Sequence, residues 1–316
     1  MRYYTIQINN DDGSSFATYT SFVGGQTDPG ALQVELDIPV TTLANPQGAA
    51  SIKIWGVSLQ VVGQATNFNG KQLQLFAGMQ KGLPLANPQQ SGLILQGTIY
   101  QAFGNWIGVN QWVELIVVTN GAELGQQLNI SFTWPKGAQL GPAIQNTLQT
   151  ALPGYTIDVN VSSKLVAAED DHGFYRSPLQ FAQYVKDVSI PILGGSYSGV
   201  EMLIQEKAVK VFDGTSPTSP QQIAFTDLIG QPTWIYPSTI QVTTVMRADL
   251  QPTAYIKLPQ TQIAIAPSDP LVGLKDSSVF QGAFLITQMR HVGNFRQPDA
   301  TSWVTTMNCS PAAMAA

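Results

Sequence analysis

The chain has 316 residues and a net charge of −5, and only 11% of it is charged, against about 25% in ordinary folded domains. That length has room for roughly two or three domains around an ample apolar core, since 44% of the residues are hydrophobic. The acidic balance, with no basic run anywhere, excludes a grip on nucleic acid through a phosphate footprint.

The polar surface must come from neutral groups. The chain carries 32 Gln, and Thr, Ser and Asn are plentiful. Such a surface is poorly suited to long-range electrostatic steering. It suits broad contact with other proteins, because an uncharged group costs less to desolvate than an ion. One cysteine, Cys309, excludes an internal disulfide and fits a reducing site of synthesis. No apolar run of signal-peptide length follows Met1–Thr5, so synthesis and folding in the cytoplasm are expected. No segment approaches the ~20 apolar residues of a membrane helix, and membrane insertion is not expected.

Residues 1–134 read as strands and turns. Ser51–Leu59 alternates in part and Lys71–Phe76 alternates cleanly, as half-buried strands do. Leu93–Tyr100 and Trp112–Val118 are rich in residues that favour pleated structure. Turn signals lie between them at Asn69-Gly70, Lys81–Pro84 and Asn120-Gly121. Strands at this spacing predict an antiparallel sandwich or barrel.

The texture changes near Trp134-Pro135. Pro142 opens a predicted helix that carries Ile144, Leu148 and Leu152 at fourfold spacing, and Pro153-Gly154 stops it. A strand is predicted over Tyr155–Val161. A second helix starts at Ser177-Pro178, a cap and first-turn pair, and is expected to end before Ile190-Pro191. Two short strands follow, Glu201–Ile204 and Ala208–Phe212, with a turn at Gln205–Lys207. Helix, strand, helix and hairpin together describe a small α/β unit over 135–215. Asp213–Pro220 reads as a connection. Strand texture returns at Ile235, Ile240–Val245, Ala254–Leu258, Gly282–Ile286 and Trp303–Met307, and the tail Pro311–Ala316 reads as frayed.

The two strand-rich regions repeat in order. Ser51–Ile54, Lys71–Leu75, Gln96-Gly97 and Trp112-Val113 correspond to Thr239–Val242, Tyr255–Leu258, Gln281-Gly282 and Trp303-Val304. Each has a further glycine, Gly104 or Gly293, expected between its third and fourth strands. Gly97 and Gly282 are expected at a bulge or bend. The reading is mainly β with a small α/β unit, as two related antiparallel β-barrels over 1–134 and 216–316.

Chemistry is sparse. The two histidines, His172 and His291, read as a solvated loop residue beside Glu169–Asp171 and a structural strand-end residue. Cys309 reads as a buried, inert thiol. No nucleophile elbow, phosphate loop or zinc ligand pair is present. Twenty carboxylates single out no acid–base pair. No catalytic, cofactor-binding or metal-ligating residue is assigned, and no enzyme is expected. The six tryptophans, Trp55, Trp106, Trp112, Trp134, Trp234 and Trp303, read as core or interface anchors; a sugar-binding platform is the alternative.

Three stretches carry a resemblance: Asn67–Gly78 with Leu95–Ile99; Ala143–Leu152 with Tyr155 and Ser177–Tyr184; and Phe280–His291 with Trp303–Cys309. Together they resemble the baseplate hub proteins of contractile-tailed phages, the group that includes tail late-control proteins. No single motif is diagnostic, and residues 24–50 and 187–200 depart from the pattern. The resemblance implies a homotrimer whose six barrels form a ring continuing the tail tube. It also implies that one face holds the spike, or cell-puncturing protein, and that the lumen passes DNA without sequence-specific binding. The implied location is the tail baseplate of the virion, after assembly in the host cytoplasm. A carbohydrate-binding or receptor-binding tail module is the competing reading.

Overall fold

A computed structural model describes residues 1–43, 49–80, 90–118, 128–195, 197–205, 208–215, 219–236, 239–259, 280 and 282–312. The turns expected at Lys81–Pro84 and Asn120-Gly121, most of the 205–207 turn, and the end of the tail lie outside these residues.

The amino-terminal part forms β1 (Arg2–Asn9), β2 (Ser15–Thr20), two short strands β3 (Phe22–Val23) and β4 (Gln26–Thr27), then β5 (Gln33–Val40) and β6 (Ala50–Trp55). A short helix α1 (Leu59–Gly63) precedes β7 (Gln72–Met79), β8 (Gly92–Ile107) and β9 (Asn110–Val118). The middle part runs β10 (Ile130–Trp134), α2 (Leu140–Ala151), β11 (Thr156–Asn160), β12 (Asp171–Tyr175), α3 (Pro178–Leu193), β13 (Glu201–Gln205) and β14 (Ala208–Phe212). The last part holds β15 (Gln221–Gln222), β16 (Thr233–Tyr236), β17 (Thr239–Val245), β18 (Tyr255–Lys257), β19 (Ala283–Asn294) and β20 (Trp303–Pro311).

Strict alternation of apolar residues makes the first core. Tyr4, Ile6 and Ile8 of β1 point inward with Val34, Leu36 and Ile38 of β5, Ile52 and Ile54 of β6, Leu73 and Leu75 of β7, and Val113, Leu115 and Val117 of β9. A period of two puts all of these on one face, which becomes the inside. The set curls: the Tyr4 hydroxyl donates to the Leu32 carbonyl just before β5 (2.6 Å), across the lobe. A second β lobe closes over Ile240, Val242, Ile256, Phe284, Ile286, Met289, Met307 and Cys309.

The repeat reappears as topology. In the first lobe the strands lie in the order β5-β6-β9-β8-β7, and in the second β16-β17-β20-β19-β18, with every pair antiparallel. Each copy has a bulge at the same place in its long hairpin, between Ile99 and Gln101 in β8 and between Ile286 and Gln288 in β19. Registers equate the rows Asp37–Ser51–Ile116–Gln101 and Thr233–Gln241–Asn308–Gln288.

The pairing differs from two separate barrels. Thirteen described strands form one open sheet, because β19 pairs with β5 (Met289 opposite Val40 through Asn294 opposite Glu35). Among the described residues no strand pairing closes either lobe into a ring. β19 is long enough to serve both lobes: its start takes β18 and its end takes β5 on the same edge.

The α/β unit has its own core. Ile144 and Leu148 of α2 and Phe181, Ala182 and Val185 of α3 belong to one buried cluster with Met202 and Ile204 of β13 and Val209 and Val211 of β14. The strand over Ile130–Trp134, read with the first β region, pairs with β12, and Ile130, Phe132 and Trp134 are buried against the helices. Helix α3 runs past Ile190-Pro191 to Leu193. Pro191 sits in the last turn, where it withholds a single backbone hydrogen bond, and Gly194 at φ 62° ends the helix.

Gly104 and Gly293 lie inside β8 and β19, not between strands. Both mark close approach. A methyl at Gly104 would overlap the carbonyl of Val62 in α1, and one at Gly293 would meet Leu36 Cγ and the Trp303 ring at 2.7 Å. Overpacking of this kind costs about 1–3 kcal/mol. Gly104→Ala and Gly293→Ala are each expected to lower stability by that amount in urea denaturation, whereas Gly108→Ala, with open space around it, loses only the cost of its φ of 61°.

Candidate assembly interface

The two β lobes are locked by buried polar groups as well as by the β5–β19 ladder. Arg247, 2% exposed, gives Nη1 to Asp227 (3.0 Å) and a forked pair of bonds to Asp249 (2.8 and 2.6 Å). Gln90, from the first lobe, donates to the same Asp227 (2.9 Å), and its carbonyl accepts the Ala248 N–H (2.7 Å). Two carboxylates thus satisfy one buried guanidinium, as burial of a charge requires, and the Gln90 amide holds one of those carboxylates. At the other end, Arg2 in β1 donates to the carbonyls of Asn294 and Asp299 (2.7 Å each) and of Gln297 in the β19–β20 turn. The Trp303 indole donates to the Gly78 carbonyl (3.0 Å).

The residues singled out for chemistry separate. His172 is exposed on strand β12 opposite Thr133, rather than in a loop. His291 is buried, its Nδ1 2.8 Å from the Thr305 hydroxyl, and burial pushes its pKa down to about 4. Cys309 is buried in the second core, and burial pushes its thiol pKa up. No group of three or more His, Cys, Asp or Glu is gathered for a metal among the described residues. No helix there is long and apolar enough to cross a membrane.

The tryptophans divide. Trp134 and Trp303 are buried. Trp55 and Trp112 stack across the β6–β9 pair with centroids 4.5 Å apart. Trp106 and Trp234 are exposed, and each has company. Tyr100, Phe103, Trp106, Ile107 and Val109 are exposed on the β8–β9 hairpin, Val109 at 96%. Phe225, Trp234 and Tyr236 are exposed at β16, where Trp234 stacks on Phe280 (6.1 Å) beside a small hollow lined by Leu228, Pro232 and Leu258. Residues 92–113 carry no charge, and Asp227 is the sole charged residue of 222–238 and is buried. Two aromatic, uncharged patches of this kind mark contact surfaces. The run of uncharged residues was legible in the sequence; their exposure was not.

No family model and no curated protein matches the chain. Solved structures do. The chain is similar to the 43 kDa tail protein of prophage MuSo2 from Shewanella oneidensis, with TM-score 0.50 and 8% identity over 99% of this chain and 100% of that one. It is also similar to a tail protein from Neisseria meningitidis MC58 (TM-score 0.48, 9% identity, 97% and 96% covered). A third is the E. coli c3393 protein, a component of the type VI secretion system (0.49, 11%, 90% and 74%). The Shewanella protein is a prophage tail protein, and at 8% identity the likeness to it is one of fold.

Two predictions test the lock. Arg247→Met leaves Asp227 and Asp249 without their cation, and loss of one partner from a buried pair costs roughly 3–5 kcal/mol. Chemical denaturation is expected to show that loss, and little change for the exposed pair partner variant Arg290→Met, since Arg290 bonds Asp37 at the surface. His291 binds its proton more weakly when folded, so the unfolded chain takes up more protons between pH 6.5 and about 4. Stability is full above pH 6.5 and falls as pH drops through that window, by up to roughly 3 kcal/mol from this residue. The difference in stability between wild type and His291→Gln is expected to narrow or reverse across those pH values.

Proposed function

We propose that this chain is a structural part of a phage tail, a baseplate hub, and not a catalyst. The observation that supports it best is the five-strand unit present twice in one chain, on a fold shared with a phage tail protein. Two alike β units per chain let three chains offer six similar units, which fits a three-fold component to a six-fold tube. In this reading each lobe completes a barrel-like wall within a homotrimeric ring. One face meets the tail tube and other baseplate proteins, and the opposite face meets the spike, or cell-puncturing protein. The channel passes DNA during ejection. A net charge of −5 without basic runs suits a lumen that repels the phosphate backbone instead of gripping it. The protein would reside in the virion tail, having been assembled in the host cytoplasm.

One observation favours a second reading. Trp106 and Trp234 are exposed, as a carbohydrate-binding or receptor-binding tail module requires. A glycan array separates the two: saturable binding lost in Trp106→Ala and Trp234→Ala supports the module. For the hub, light scattering on the purified chain is expected to give three times the 34.0 kDa monomer mass, and imaging down the particle axis is expected to show an open channel. A monomer at every concentration, alone and with its tail partners, sinks the hub.

A further inference from the structure

We propose that the open edge of the β8 hairpin pairs with β16 of a second copy of this chain, Thr233 falling opposite Asn105. The inference rests on the ring reading above and names the contact that would close it.

The template is inside the chain. The long strand β19 uses one edge twice, first for β18 and then, over Met289–Asn294, for β5. The long strand β8 uses the matching edge once: β7 takes Gly92–Thr98. Beyond Ile99 no strand pairs with that edge among the described residues: the Asn69 side chain accepts the Ala102 N–H (2.8 Å), and Val62 of α1 approaches Gly104. The backbone there is presented outward. Gln111, opposite Trp106, gives its carbonyl to Gly56 on the far side of β9 (2.8 Å). Directly opposed residues in such a pair face away from each other's strand together, so the Trp106 N–H and C=O point to the open side.

The strand equivalent to β5 is β16. β5 lies between β6 and β19, whereas β16 has β17 on one side and ends the sheet. Within one lobe copy, β5 reaches the long hairpin of the other lobe; β16 reaches nothing among the described strands. Among the described strands β2 also ends the sheet, but β16 and the outer part of β8 are the two unpaired edges that the repeat makes complementary. Counting from the bulges sets the register. Asp37 pairs with Val292, four residues past Gln288. Thr233 stands where Asp37 does, and four residues past Gln101 is Asn105. Trp234 then falls opposite Gly104.

Composition supports an occupied edge. Exposed edge strands are normally guarded by Lys, Glu or Pro against pairing with other chains. Residues 101–110 carry none of these and 233–236 carry none between the flanking Pro232 and Pro237, and both are among the most exposed apolar stretches of the described residues. Because the two edges differ, the contact is heterologous, and heterologous contacts that close form rings.

The test is a disulfide. Cys309 is buried, so Asn105→Cys with Thr233→Cys in one chain adds the two reactive thiols. Mild oxidation joins the thiols as a disulfide, the oxidant (oxidised glutathione) taking up the two electrons. Denaturing gels are expected to show monomer, dimer and trimer and nothing larger. An equimolar mixture of the two single variants is expected to stop at dimer. Trp106→Pro, which removes an outward N–H while sparing the β9 ladder, is expected to give a folded monomer by circular dichroism and light scattering. A wild-type trimer that neither cross-links nor dissociates in Trp106→Pro overturns this contact and leaves the ring reading standing. A wild-type monomer overturns the ring reading and the contact with it. Ladders beyond trimer overturn closure.

Discussion

The β19–β20 hairpin is the constraint on which the molecule depends. Phe284, Ile286 and Met289 on one strand, with Met307 and Cys309 on the other, fill the second core. Further along the same hairpin, Trp303 is in the first core, and the end of β19 supplies the ladder for β5. A single element that contributes to two cores couples them. Neither lobe can shift against the other without opening backbone hydrogen bonds or exposing apolar surface. The Arg247 cluster and the Arg2 contacts with the hairpin turn add polar closure at both ends of that seam.

His291 is buried against Thr305, and Cys309 is buried among methionines and isoleucines. What the molecule presents is neutral and aromatic: the β8–β9 hairpin and the β16 edge. Such surfaces associate through desolvation and backbone pairing, which act at contact range and are little screened by salt. A surface with few charges has little to guide it from a distance, so its specificity lies in strand register and shape.

The repeat shows how far order in a sequence carries. Strand order, the glycine of each long hairpin and the tryptophan of each closing strand were visible as text. Pairing partners were not, because nothing local says which strand lies beside which. β1 and β5, which alternate cleanly, were not singled out, and neither was β12, whose Asp171-His172-Gly173 run looks like a loop. Its pairing with β10 overrode that local preference, since tertiary packing outweighs β propensity. The same pairing drew Ile130–Trp134 into the α/β unit.

By itself, the sequence determined what depends on periodicity and composition. These are the β-rich character, the helices of the α/β unit with their cap and proline signals, the absence of an internal disulfide, and a chain with few charges. These follow from short-range sterics and from solvation, which act residue by residue. Only the tertiary structure decided that two β copies share one sheet through β5 and β19, that Arg247 is buried against Asp227 and Asp249, and that two aromatic edges have no strand beside them among the described residues. Those facts depend on contacts between residues such as Asp37 and Val292, which lie far apart in the chain. Backbone hydrogen bonding selects such partners by geometry, and geometry exists only after the chain has folded.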